Sequence, residues 1–154
     1  MIAIVVEDPG TADALQMLGE LSAALQAITG SSGAASFDAN DVRIADARFV
    51  VARDEAGTPV GCGAFRPLEA GVAEIKRMYA RSGPPGVPGV GSAILTFLED
   101  QARHLGLRAL RLETRVVNRR AVAFYARHGY VRIPNFGKYA GRAEAACFEK
   151  QLRA

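Results

Sequence analysis

Long apolar runs are missing from this sequence. No stretch approaches the roughly 18 consecutive apolar residues of a membrane helix, so no membrane role is expected. Cysteine is scarce. Cys62 and Cys147 stand far apart in apolar, strand-like stretches, which favours two buried free thiols over a disulfide and offers no metal-ligating pair. A basic tract is lacking too. Nineteen Lys and Arg against sixteen Asp and Glu give a formal charge of +3, and the arginines are scattered. Nucleic-acid recognition wants a clustered basic face, whereas a mild surplus suits attraction of a small anion. The start, Met1-Ile2-Ala3-Ile4-Val5-Val6, has no basic region or signal-type cleavage site and meets Glu7 and Asp8 at once. It reads as the first strand of a cytoplasmic protein. Neither an internal repeat nor a linker divides the 154 residues, so one domain spanning 1–154 is expected.

What is present alternates between two periods. Asp8-Pro9-Gly10-Thr11 is a helix-start signal, followed by Leu15, Leu18, Leu21, Leu25 and Ile28 at helical spacing, which predicts a helix over about 11–28 with that buried stripe. A small-residue loop follows, and Asp38 to Ile44 suggests a short second helix. From residue 48 the period becomes two. Strands are predicted at Arg48–Arg53, Pro59–Arg66 and Val72–Ala80, the last with Val72, Glu74, Lys76 and Met78 on one face and Ala73, Ile75, Arg77 and Tyr79 on the other. Ala109–Val116 is a further strand. Asn118 caps a helix of about 119–128, and Tyr130–Ile133 and Ala145–Leu152 complete a β-α-α-β-β-β-α-β-α-β-β order. This is an α/β (α+β) chain, a mixed sheet flanked by helices.

Between the strands Val72–Ala80 and Ala109–Val116 lies Gly86-Val87-Pro88-Gly89-Val90-Gly91-Ser92, leading into a helix with Ile94, Leu95, Leu98, Ala102 and Leu105 on one face. A helix starting near Gly89 directs its first free N–H groups and the positive end of its dipole back into the loop, a site for a phosphate or pyrophosphate. The loop is no Walker A sequence, because Gly91 is followed by Ser92 and Ala93. It is no dinucleotide fingerprint either, because the third glycine is missing and the preceding strand comes from a hairpin.

Strand V-A-E-I-K-R-M-Y, the loop G-V-P-G-V-G-S, and N-R-R-A-V-A-F-Y-A-R-H-G-Y from Asn118 to Tyr130 together resemble the GNAT superfamily of acetyl-CoA-dependent N-acetyltransferases. The resemblance covers essentially the whole chain and implies a mostly antiparallel central sheet. One departure stands out. Gly86 occupies the place of the family's usual Arg or Gln, and Pro88 brings no N–H to an inner loop position. Backbone donors at Gly86, Val87, Gly89, Val90, Gly91 and Ser92 remain for acetyl-CoA. The resemblance also implies that the pantetheine arm pairs with the backbone of Met78, Tyr79 and Ala80, as a peptide adds to a sheet edge, and that Asn118 adds a coenzyme contact to its role as cap.

Acetyl transfer to an amine requires a held thioester, a deprotonated amine, an oxyanion donor and a proton for the leaving thiolate. An alkyl ammonium, with a pKa of about 10.4, needs a base at neutral pH. By resemblance Glu74 is the candidate base and Tyr125 the candidate acid, its hydroxyl lying near the coenzyme sulfur. Glu113 is the alternative base. For Glu74 the plain alternative is pairing with Lys76 or a neighbouring Arg, and for Tyr125 a core aromatic. Cys62 lacks a nearby histidine and reads as a packed thiol rather than a nucleophile. The loop of residues 29–40 and the Phe136–Tyr139 loop are expected to select the acceptor, a small-molecule or peptide amine. A non-catalytic acyl-CoA sensor is the rival function, and a homodimer through a sheet or helix edge stays open.

Overall fold

The computed structural model describes residues 1–82 and 87–153. Gly86, one of the loop donors expected above, falls outside them. The chain runs β1 (Ala3–Val6), α1 (Ala12–Thr29), β2 (Arg48–Arg53), β3 (Pro59–Glu69), β4 (Val72–Ala80), α2 (Val90–His104), β5 (Ala109–Arg115), α3 (Arg119–Arg127), β6 (Val131–Ile133) and β7 (Ala145–Gln151). The second helix of the expected order is two 3-10 turns, Ala34–Ser36 and Ala39–Val42. None of the described helices is long and apolar enough to cross a membrane.

The strands form one seven-stranded sheet in the order β1-β2-β3-β4-β5-β7-β6. Every pair is antiparallel except β4 with β5. A parallel pair needs a crossover longer than a tight turn, and α2 supplies it. Alternate residues of β2 serve opposite faces, as a period of two dictates. Phe49 and Val51 pack with Ala14 and Met17 of α1, while Val50 and Ala52 pack with Ile94, Leu95 and Leu98 of α2. Gly61 and Gly63 allow α2 to lie close on β3. A methyl group on Gly61 would meet Tyr79 O at 2.6 Å and Ile94 Cδ1 at 2.8 Å.

The stripe expected on α1 is displaced. Ala14, Met17 and Leu21 are its buried residues, whereas Leu15 is 58% and Ile28 50% exposed. Thr11 fixes the helix start by accepting from Ala14 N at 3.2 Å, and small Ala14 lets this turn approach the sheet. A leucine count could not see that preference.

The two-face assignment of β4 also needs correction. Cys62 pairs with Tyr79, but Ala64 pairs with Lys76, so Arg77 and Met78 together oppose Gly63. This is a β-bulge, and Arg77 carries its extra residue at φ 54. Beyond the bulge the faces exchange. Met78 packs into the α2 core with Ala73 and Ile75, and Tyr79 joins the α1 side. Left-handed backbone is unfavourable for a side chain other than glycine. Three hydrogen bonds from the Arg77 guanidinium offset the cost: to Leu18 O (3.3 Å), Ser22 Oγ (2.5 Å) and Ser32 O (3.1 Å).

Candidate active site

The parallel ladder between β4 and β5 is short. Val72, Ala73 and Glu74 pair with Ala109, Leu110 and Arg111, after which β4 runs on to Ala80 and β5 to Arg115 without meeting. The split exposes one backbone edge of β4 from Ile75 to the bulge and the strand end. A cleft of about 350 Å³ opens at the split. Its walls come from both strands, from Leu21, Leu25 and Thr29 of α1, from Asn118, Ala121 and Tyr125 around α3, and from Lys138, Tyr139 and Arg142 before β7. Both loops expected to select the acceptor reach it. Tyr139 walls the cleft, while Phe136 packs behind it edge-to-face, with ring centroids 5.4 Å apart.

At the other end of the split stands the start of α2. Gly89 is its N-cap, with φ 80 and no side chain to satisfy the helix. The helical ladder begins with Ala93 N donating to Gly89 O at 3.0 Å, so the N–H groups of Val90, Gly91 and Ser92 precede it, and an anion can bind such groups where no acceptor among the described residues takes them. A methyl group built on Gly91 would lie 3.8 Å from Ala80 Cβ and 3.3 Å from Phe124 Cε1, so the strand end, the helix start and α3 converge here. Val87 packs on the same core. A side-chain link absent from the sequence reading joins α2 to α3. Ser92 Oγ lies 2.9 Å from His128 Nε2, and His128 Nδ1 lies 2.7 Å from Phe124 O. The carbonyl can only accept, so Nδ1 carries a proton, and in the neutral ring Nε2 accepts from Ser92. These free donors beside an open strand edge fit a pyrophosphate and its pantetheine arm.

Glu74, the candidate base, is 1% exposed and fully engaged. Its Oε1 accepts from Arg66 at 2.8 Å, its Oε2 accepts from the Tyr139 phenol at 2.9 Å, and Lys76 Nζ lies 3.5 Å away. Lys76 in turn donates to Tyr139 Oη at 3.1 Å. Burial pushes the Lys76 ammonium below its ordinary pKa, with the Glu74 charge pulling the other way.

Glu113 is the contrasting carboxylate. It faces the same cleft and has no ion-pair or hydrogen-bond partner among the described residues. Burial raises its pKa above the ordinary carboxylate value, against smaller opposing effects of Arg115, Lys76 and Lys138. The Tyr125 hydroxyl also makes no hydrogen bond among the described residues, and burial holds its pKa well above the phenol range. Its ring is wedged between Phe124 and Tyr130, with centroids at 5.2 and 5.7 Å. Asn118 caps α3 by accepting from Ala121 N at 3.3 Å and borders the cleft.

Of the arm residues, Met78 lines the cleft. Tyr79 turns away and donates to Glu20 at 2.9 Å, and Ala80 is exposed at the strand end. Cys62 is fully buried. Burial pushes its thiol up to about 12, so it packs rather than attacks. The cleft cations Arg115, Lys138 and Arg142 were not anticipated. Their only sequence signal is basic residues beside Glu113 and in the Gly-rich loop before β7.

The sheet thus splits at its parallel pair and opens onto the start of the crossover helix, and comparison with known proteins places this chain among the acyltransferases that draw their acyl group from a coenzyme-A thioester. The model of the Acetyltransferase (GNAT) family matches residues 20–130, and this chain belongs to that family. An IAA acetyltransferase of Azospirillum brasilense is 34% identical over 152 residues, 98% of each chain. Among solved structures, a Klebsiella pneumoniae protein provisionally described as an acyl-CoA N-acyltransferase superposes with TM-score 0.82 at 27% identity, over 99% of both chains. An acetyltransferase of Streptococcus agalactiae shares the fold at TM-score 0.80 and 20% identity, over 98% of both chains. The protein is an acyl-CoA-dependent N-acetyltransferase.

Proposed function

We propose that the protein transfers the acetyl group of acetyl-CoA directly to a primary amine of a small molecule or peptide in a ternary complex. The observation that carries this reading is the presence, in one cleft at the strand split, of a carboxylate and a phenol that have no partner among the described residues, Glu113 and Tyr125. Val90, Gly91 and Ser92 hold the pyrophosphate on backbone N–H groups, and the open edge of β4 at Met78–Ala80 pairs with the arm. Coenzyme binding supplies the activated acyl group.

Glu113 takes the proton that the acceptor ammonium gives up. The freed nitrogen lone pair forms the C–N bond as the C–S bond breaks. Tyr125 passes its proton to the departing sulfur, the second proton that the nitrogen sheds on becoming an amide returns to the phenolate through solvent, and a β4 backbone N–H faces the carbonyl oxygen. A raised pKa brings a carboxylate closer to the range in which a base works at neutral pH. Glu74 then fixes Lys76 and Tyr139 in place, because Arg66, Lys76 and Tyr139 already occupy its oxygens.

Calorimetric titration with acetyl-CoA followed by thiol-release assays over an amine panel tests the reading. Micromolar binding with turnover that collapses in Glu113→Gln supports it. Turnover lost in Glu74→Gln but retained in Glu113→Gln returns the base to Glu74. Binding without turnover on any amine favours the sensor function, and no binding up to millimolar acetyl-CoA means that Pro88 and its loop have disabled the coenzyme site.

A further inference from the structure

The charges around the cleft do not balance, and the imbalance has a direction. Lys76, Arg77, Arg115, Lys138 and Arg142 line it against Glu74, Glu113 and Glu144. Part of this set is internally satisfied. Glu74 is held by Arg66 and Lys76, and Arg77 is spent on Leu18, Ser22 and Ser32. Among the described residues, Arg115, Lys138 and Arg142 have no carboxylate partner, and neither Glu113 nor Glu144 has a cationic one.

The placement of these groups matters as much as the count. Glu113 and Arg115 sit two apart on β5, on the same face and about 6.7 Å apart along the strand. Arg115 pairs in register with Ala145, and Val116 N donates to Glu144 O at 2.9 Å, which sets the Arg142–Glu144 segment beside the end of β5. Lys138 enters from the same loop, its ammonium 5.5 Å from the Tyr139 ring centroid. The cleft therefore offers one open anion deeper along β5 and, at its mouth, three open cations that outnumber the single carboxylate of Glu144.

We infer that the acceptor is a small amine bearing a carboxylate, an amino acid in chemical class. Its ammonium is directed to Glu113, and its carboxylate is held by Arg115 with Lys138 and Arg142. The inference rests on the acetyl-transfer reading above. A carboxylate recognises a guanidinium by charge-assisted, often bidentate hydrogen bonds. A polyamine or an aminoglycoside would bring several positive charges against this mouth and meet like charge. A volume of about 350 Å³, shared with the acyl end of the donor, is at the low end for ligand pockets and fits a free amino acid better than a stretch of polypeptide.

The test is acetyl-CoA-dependent thiol release with matched panels: free amino acids, their carboxamides, the corresponding decarboxylated amines, spermidine and an acidic peptide. The expected result is a kcat/KM at least about tenfold higher for the preferred free amino acid than for its carboxamide. In Arg142→Ala and Lys138→Ala the value for the free acid falls towards that of the carboxamide, mainly through KM. Equal rates for acid, carboxamide and decarboxylated amine overturn the inference, as does preference for spermidine or for the acidic peptide. In those cases acetyl transfer itself stands. Absence of thiol release across every panel, with acetyl-CoA bound, overturns the acetyl-transfer reading and takes the inference with it.

Discussion

The phenol of Tyr139 donates to Glu74 Oε2 at 2.9 Å while accepting from Lys76 Nζ at 3.1 Å, so a residue of the last loop closes a circuit between two residues of β4. Tyr139→Phe leaves a buried carboxylate and a buried ammonium each one hydrogen bond short. A loss of about 1–3 kcal/mol is expected, read as a lower urea midpoint with an unchanged slope.

Glu74 and Glu113 line one cleft, yet their substitutions are expected to shift stability in opposite directions. Glu74→Gln removes the charge that compensates Lys76 and Arg66, and breaking so buried a pair costs about 3 kcal/mol. Glu113→Gln relieves a desolvated, unpartnered carboxylate, so its Tm rises at pH 7 to 8. The sign follows from linkage. The Glu113 pKa is raised in the folded state, so the native protein binds the proton more tightly than the unfolded chain. Its contribution is fully present below the unfolded value and is lost as pH rises through the folded one. The Tm advantage of Glu113→Gln therefore shrinks on acidification and vanishes below about pH 4. Thermal melts of the three proteins across pH check both signs.

If Glu113 is the base, kcat/KM climbs with pH along a limb whose midpoint lies above the ordinary carboxylate range, because burial raises this group. Glu113→Gln lowers kcat by about 10² to 10⁴, with acetyl-CoA affinity nearly unchanged. A flat profile from pH 5 to 8 removes the assignment.

Tyr125→Phe keeps the ring contacts with Phe124 and Tyr130 and deletes only the hydroxyl. That hydroxyl has no partner to lose among the described residues, so stability is expected to change by less than about 1 kcal/mol. The value of kcat falls at least about tenfold, as loss of a general acid predicts. Rapid-quench measurement of the acetyl-transfer step separates this from slower product release.

Gly61→Ala is a prediction about the fold alone. The new methyl would sit 2.6 Å from a backbone oxygen and under 3 Å from Ile94 and Val90, and a carbonyl in a ladder cannot step aside cheaply. Overpacking of this kind costs about 1–3 kcal/mol or more. Chemical denaturation gives the value directly.

Much of this architecture is legible in the sequence because local patterns point the same way. The apolar face of α2 from Ile94 to Ala102, the Asn118 cap and the alternation along β5 each follow from a period or a capping rule. The parts that escaped depend on contacts between distant residues. The bulge at Arg77 goes with a side chain from β4 that finds acceptors on α1 and its following loop, which a period-two count cannot register. The displaced stripe of α1 reflects the close approach that Ala14 permits. Glu74 matched the resemblance, but its partners Arg66 and Tyr139 lie 8 and 65 residues away along the chain, so its saturation was invisible until the fold brought them together.

The guanidinium of Arg77 ties the bent part of β4 to α1 and to the segment at Ser32. On the proposed reading, the strand edge that serves the donor and the helical wall that serves the acceptor are thus fastened to each other by Arg77, and again by Tyr79 and Arg81 on Glu20. Exchanging the small-residue segment after α1 to admit a different amine would also tug on the edge that carries the acyl group. If the proposed roles hold, acceptor choice and donor alignment are inherited together, and redesigning one without retuning the other costs rate before it costs affinity.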